Sequence, residues 1–391
     1  VSNKARLWSM RWYIAFIVVC AASLSAYMYL SNPANPVLQN VATWNVKTDF
    51  NAKGDGIHDD TNAIQAAIDD AGKGDTIVIP PGTYKVSKNI ANKAVTDYGV
   101  SYSALKITKP VTIVMEGATF QTKTQNEYGV FWIYKTNDVA LKGGILKGDT
   151  LPTSGIYTSR VGVLVQECDH CSIENMSLTN FSQGINVYKS EYSTVRNVTT
   201  EFNKGSGIIN LASKYSLIDS CTIRNSGDGH LSLFGGGANN TVINSTIEEN
   251  RPGVLNQQGI TLEKEKETLI KNNVVTGFYY GIDIKNGSDS NSIESNTVYN
   301  NQYNITIRAG DPGSNGRAIS NNIKIIKNMA VNSRKGANTA GIYIMVGSGH
   351  QIQENTVDEG TLIIAGGLQL KNNLEFNKNK YVDNIFVKKS K

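Results

Sequence analysis

A six-residue strand phrase, apolar at its second and fourth positions, returns eight times along this chain. It reads GVLVQE from Gly162, GINVYK from Gly184, IINLAS from Ile208, HLSLFG from His230, GITLEK from Gly259, GIDIKN from Gly281, NITIRA from Asn304 and GIYIMV from Gly341. Two inward apolar positions separated by one outward position is the period of a half-buried strand. A second phrase follows each one, SIENMSL at Ser172, TVRNVTT at Thr194 and so on to QIQENTV at Gln351. A unit of two short strands and a turn cannot bury an apolar face alone; stacked units can. The expectation is an all-β, single-stranded right-handed parallel β-helix, in which outward residues at one strand position form a column with rungs about 4.8 Å apart.

Within the second phrase a polar residue recurs between two apolar ones, at Asn175, Asn197, Ser220, Asn244, Asn272, Ser295 and Asn328. Stacked amides at rung spacing can bond to one another and to turn backbone. The column reads as a structural asparagine ladder.

The 36 glycines and the low charged fraction of 18 % fit many tight turns and few long helices. A net charge of +5 over 391 residues, with no basic run interleaved with aromatics, gives no reason to expect nucleic acid as a partner. The C-x-x-C at Cys168 and Cys171 lacks a second ligand pair for zinc and reads as a local disulfide or as buried thiols.

Lys4, Arg6 and Arg11 precede Trp12–Leu30, nineteen residues without a charge. That length suits a bilayer core, and positive residues ahead of it orient the rest of the chain outward. The expected organisation is a signal anchor or signal peptide at 1–30, a linker at 31–44 and the β-helix at 45–391. The β-helix would then be extracytoplasmic, at a periplasmic or cell-surface location, or secreted if the leader is cleaved.

Between Asn45 and Ser87 an amphipathic helix carries Ala63, Ile64, Ala67, Ile68 and Ala71 on one face, with Asp60 or Thr61 at its N-cap. Such a helix can cover the first coil's open edge. Asp59 and Asp60 belong to this capping segment and read as turn and cap acceptors. The words AKGDGIHDDT, AIQAAID and IPPGTYKVS make this stretch resemble the pectate lyase superfamily, in the branch that includes rhamnogalacturonase-like and epimerase-like proteins. The resemblance implies an extracytoplasmic enzyme on polysaccharide: hydrolase, lyase, epimerase or depolymerase. It does not choose among reactions. The N-T-D, G-D-D, G-H-G and R-I-K words of pectin hydrolases and the D-P-H-E word of alginate-type epimerases are absent, and no tight Asp cluster supports a Ca2+ site.

Candidate chemistry comes from the outward columns. Charged groups gather on three consecutive rungs: Glu263, Lys285 and Arg308 at the fifth position, with Asp283 at the third. For a hydrolase, Glu263 and Asp283 would be acid and base, at the carboxyl separation of about 6.5–9.5 Å that suits inversion. For a uronate lyase or epimerase, Lys285 or Arg308 would abstract the C5 proton while the other cation neutralises the carboxylate. The adjacent basic pair leans toward an anionic polysaccharide. Tyr188, Asn210, His230, Phe234 and Tyr343 are the expected substrate-binding residues. No metal ligand and no cofactor is expected. The competing reading is a non-catalytic glycan-binding or scaffolding β-helix, since opposite charges on neighbouring rungs also stabilise an exposed sheet.

Overall fold

The computed structural model describes residues 41–97, 99–122, 128–149, 160–311, 318–334, 339–358, 361–364, 368–369, 374–376 and 379–387. The signal-anchor segment 1–30 lies outside them, as does all but the end of the linker. Among the described residues no helix is long and apolar enough to cross a membrane.

Successive strands feed three sheets in rotation, so that each sheet takes one strand from each coil and pairs it with its counterpart in the next. Pairing along the stack is parallel, as in Val161–Gln166 with Gln183–Tyr188. Inward residues of the repeated phrase form a continuous ladder: Val163, Ile185, Ile208, Leu231, Ile260, Ile282, Ile305 and Ile342 are successive register partners. All eight are fully buried. Stacking like on like removes each apolar face from water on both sides, which a lone coil could not do.

Each coil has three strands rather than the expected two. The second phrase splits into a pair of three-residue strands, as at Ser172–Glu174 and Ser177–Thr179. The residue between them explains the bend. Asn175, Asn197, Ser220, Asn244, Asn272 and Ser295 all adopt left-handed backbone, with φ of 51–57°. Asn tolerates that region because its short side chain compensates locally.

The asparagine ladder therefore lies one residue further along than expected. The Oδ1 of Asn273, Asn296, Asn328, Asn355 and Asn384 each accepts the backbone N–H one coil back, at 2.9–3.0 Å. Their Nδ2 groups donate to carbonyls such as Ile270 and Ile293. Asn328 alone of the expected positions belongs to it, because Lys327 takes the left-handed turn there. Of the other expected positions, Asn197 donates to Asn175 at 2.7 Å on the exposed surface.

The helix α1 spans Thr61–Asp70 and buries Ile64, Ala67 and Ile68. Asp60 is its N-cap by position but makes no capping bond; its carboxylate instead accepts the N–H groups of Lys53 and Gly54. Gln65 pairs with both backbone groups of Lys106, so a side chain takes the place of a neighbouring strand. Cys168, Cys171 and Cys221 are buried free thiols, so the local disulfide is not formed.

An antiparallel arm, Asn89–Thr96 with Gly99–Ile107, extends the sheet that carries the repeated phrase. Beside it lies a second apolar cluster on that sheet's outer face, with Ala94, Trp132, Leu164, Tyr188, Ile209 and Leu211.

Candidate active site

The outer face of the repeated-phrase sheet changes character along the stack. Its early rungs are mostly apolar. From the strand Leu231–Phe234 onward, through Gln258–Glu263, Tyr280–Lys285 and Tyr303–Ile307, they turn polar and charged. Register places Ser232, Thr261, Asp283, Thr306 and Tyr343 in one column, and Phe234, Glu263 and Lys285 in the next.

All four charged residues expected from the sequence meet here. Their partnerships differ from the expectation. Arg308 grips Asp283 through Nε at 2.8 Å and Nη2 at 2.6 Å. Gln258 and Thr306 donate to the same carboxylate, each at 2.9 Å. Asp283 is thus fully buried with both oxygens occupied, which corrects its expected role as an accessible acid or base. The cause is packing along the column, where Arg308 folds back one rung and is roofed by the Tyr280 ring 4.5 Å away. Burial lowers the guanidinium's affinity for its proton, but Asp283 and Asp311 outweigh it and hold Arg308 above its ordinary value.

Asp311 is the residue that column reasoning missed. It lies in the connection after Tyr303–Ile307, three residues beyond Arg308, and so has no strand position. Its Oδ2 stands 2.7 Å from Lys285 Nζ and its Oδ1 2.7 Å from Arg308 Nη1. Burial raises its carboxyl, but the Lys285 and Arg308 hydrogen bonds and charges win and hold it below the usual carboxylate range. Lys285 also faces Glu263 at 3.6 Å, and Glu263 accepts from Asn286 at 2.7 Å. Lys285 is committed to two carboxylates, with 6 % of its side chain exposed.

Glu263, Lys285 and Asp311 open onto a cavity of about 290 Å³, with Asp228, Ser232, Thr261, Gln258 and Phe234 also in its lining. One wall is the turn before Leu231–Phe234, and His230 shapes it. The ring Nδ1 meets the Asp228 carbonyl at 3.1 Å and Nε2 accepts the Ser226 N–H at 3.1 Å. Those bonds assign the neutral tautomer with the proton on Nδ1. Burial pushes its pKa down to about 4, and the ring stands edge-on to Phe278. His230 is therefore a fully buried support for the turn that presents Asp228, not the substrate contact expected.

Two other expected contacts are corrected. Tyr188 is 2 % exposed within the apolar cluster, and its hydroxyl accepts the Asp97 N–H, so no face remains for a sugar. Asn210 points inward. Its register partners are the core residues Val187 and Leu233, because this strand's phrase begins at Gly207 rather than Ile208. Its amide finds no hydrogen-bond partner there. Ile209 and Leu211 take the outward places.

Phe234 lines the cavity. Tyr343 is half-buried, its ring 5.7 Å from that of Tyr303, which in turn stacks on Tyr280, the ring over Arg308. The aromatic row thus runs alongside the charged rungs, on the strands Tyr280–Lys285, Tyr303–Ile307 and Ala340–Ile344. Among the described residues no group of three or more His, Cys, Asp or Glu is arranged to hold a metal ion.

Two family models match consecutive parts of the chain. Residues 43–143 match "Rhamnogalacturonase A/epimerase, pectate lyase-like", and residues 153–298 match "Right handed beta helix region". The fold is a right-handed parallel β-helix. Among curated relatives, plasmin and fibronectin-binding protein A of Streptococcus pneumoniae is 29 % identical over 181 residues, which is 44 % of this chain and 22 % of that one. Alginate lyase 7 of Azotobacter vinelandii is 63 % identical over 46 residues, 11 % of this chain and 5 % of that one. The matched segments thus span less than a quarter of either relative. Among solved structures, the A-module of the Azotobacter vinelandii mannuronan C-5 epimerase AlgE6 superposes with a TM-score of 0.64 at 17 % identity, covering 88 % of this chain and 99 % of that one. At that identity the likeness carries the fold.

Proposed function

We propose that this β-helix is a polysaccharide-directed enzyme of the hydrolase type, with Glu263 and Asp311 as its acid and base. The observation that carries this reading is the meeting of their carboxylates across Lys285 at one open cavity, while the expected partner Asp283 is sealed beneath it. Asp311, held ionised by its two cations, takes the proton of a water attacking the anomeric carbon. Glu263 delivers a proton to the glycosidic oxygen as that bond breaks. Asp228 faces the sugar from the turn wall. A lyase or epimerase would need Lys285 or Arg308 as the base, and both are engaged in ion pairs. The epimerase fold and the alginate lyase segment support a carbohydrate substrate. An extracytoplasmic site of action belongs to the same reading and rests on the uncharged run Trp12–Leu30.

The test is a panel of polysaccharides followed for new reducing ends and for absorbance near 235 nm. New ends without absorbance are expected. Asp311→Asn and Glu263→Gln should each lower turnover by about 100-fold or more, the usual share of one acid or base, with circular dichroism unchanged. Absorbance rising with the ends would overturn the hydrolytic assignment. A second reading, adhesion without turnover, draws on the match to the fibronectin-binding relative. It predicts retention on a ligand that is indifferent to Asp311→Asn.

A further inference from the structure

On the outer face of the repeated-phrase sheet, Ser206, Gln258, Tyr280 and Tyr303 each stand two residues before the inward members Ile208, Ile260, Ile282 and Ile305 of the core ladder. On the rung of Leu231–Phe234 the same place is held by Gly229, so the row of side chains is interrupted between Ser206 and Gln258. The interruption opens on the floor of the cavity, whose lining includes Ser206, Ser232, Gln258 and Thr261. All four are nine-tenths or more buried. A Cβ at Gly229 would stand 2.7 Å from Ser232 Oγ, 3.2 Å from Thr261 Oγ1 and 3.5 Å from Gln258 Oε1. Glycine is thus the residue that leaves these three oxygens a shared notch.

The groups around the notch are oriented. Gln258 Nε2 donates to the Asp283 carboxylate at 2.9 Å, which turns Oε1, an acceptor, toward Gly229. Ser232 donates to the Gly229 carbonyl at 3.2 Å, and its Oγ lies 3.3 Å from that of Ser206. Thr261 differs from both: it is 4 % exposed, and among the described residues none hydrogen-bonds its hydroxyl. A buried hydroxyl left unpaired is destabilising, and a ligand that supplies the partner removes that cost. We propose that the notch is a subsite for one hydroxyl group of the bound glycan, which accepts from Thr261 and donates to Gln258 Oε1, and that Gly229 sets its size. This rests on the carbohydrate reading above. A group held here must both accept and donate. A sugar hydroxyl does so, whereas an ether oxygen has no proton for Oε1 and a methyl group satisfies neither partner.

The experiment runs the full chain by affinity electrophoresis in gels containing glucans, mannans, galactans, polygalacturonate or alginate, and assays each polymer for new reducing ends. Three variants are then compared with the parent chain on a polymer that the parent retains or cleaves. Thr261→Val keeps the shape and removes the hydroxyl, and Gly229→Ala fills the notch; each should weaken retention or raise KM by about tenfold, with kcat changed by less than about threefold. Thr261→Ser should stay within about threefold of the parent, since it restores the hydroxyl. Combining Gly229→Ala with Thr261→Val should cost no more than about twofold beyond Thr261→Val alone, because both remove the same contact. The thermal midpoint of Thr261→Val should equal or exceed the parent's, as the free protein loses an unpaired buried hydroxyl. A hydroxyl with a structural role alone would leave retention and KM unmoved. Variants that match the parent in both, or a Thr261→Ser that loses as much as Thr261→Val, would overturn the subsite while leaving the carbohydrate reading in place. A parent chain that neither retains on nor cleaves any polymer would overturn the carbohydrate reading itself, and the subsite with it.

Discussion

Glu265 gives the most demanding test of the structure, because it is a fully buried carboxylate outside the candidate site. It accepts from the Gly237 N–H at 3.1 Å, from Asn240 Nδ2 at 3.0 Å and from the Thr268 hydroxyl at 3.4 Å. Gly237 makes the room, since a Cβ there would fall 2.5 Å from Glu265 Oε1. Burial raises the pKa to about 7 against an ordinary 4.5, and the three donors only partly offset it. The folded state then keeps a proton that the unfolded chain releases near pH 4.5, so stability must fall as pH rises from there to about 7 and stay level above. At 1.36 kcal/mol per pKa unit, the shift is worth ~3 kcal/mol at pH 8. Glu265→Gln removes that penalty. It faces an amide donor against one of the existing donors at a cost of about 1 kcal/mol. The variant should therefore be the less stable protein at pH 4.5 and the more stable one at pH 8, by ~2 kcal/mol after that cost. Urea unfolding of the two full-length chains, followed by tryptophan fluorescence from pH 4.5 to 8.5, measures the difference while contributions common to both cancel. Curves that run parallel, or a variant that loses at every pH, would refute the reasoning.

Asp283→Asn should act on folding more than on chemistry: it leaves Arg308 buried with half its partners, at a cost of about 3–5 kcal/mol by analogy with other broken buried pairs, whereas Asp311→Asn should lower turnover by about 100-fold or more in a folded protein. Thermal midpoints and turnover measured on both variants separate the two roles. Asn328→Ala should cost about 2–4 kcal/mol, because it strands buried donors and acceptors on two neighbouring coils, and Asn197→Ala on the exposed turn should cost less than 1 kcal/mol. Equal losses in denaturant midpoint would show that the interior ladder has been misplaced.

The coil pattern was legible because its inward column is written in Ile, Leu and Val at a fixed period, which only stacking satisfies. The ladder was displaced by one residue because Asn serves two purposes in adjacent places: it relieves left-handed backbone at Asn272 and bonds across coils at Asn273. Periodicity cannot separate these, since both are polar residues between apolar ones. Asn210 failed for a related reason. The apolar pair Ile208 and Ile209 suggests a register one residue late, while the glycine that aligns with Gly184 is Gly207, so a polar residue enters the core position. Tyr188 was out of reach, since the segment covering it returns from about ninety residues earlier as an antiparallel arm. Within the site, strand columns located Glu263, Lys285 and Arg308, but could not show that each cation was already satisfied, nor find Asp311, which belongs to a corner.

Because every circuit returns to the same three sheets, a corner can lengthen or change its residues without shifting the register above or below it. The stack then behaves as a fixed keel, and the corners bearing Asp228, Gln257 and Asp311 as fittings attached to it. Change confined to those fittings would retune which glycan is held while leaving folding untouched, so two chains with superposable sheets need share no substrate.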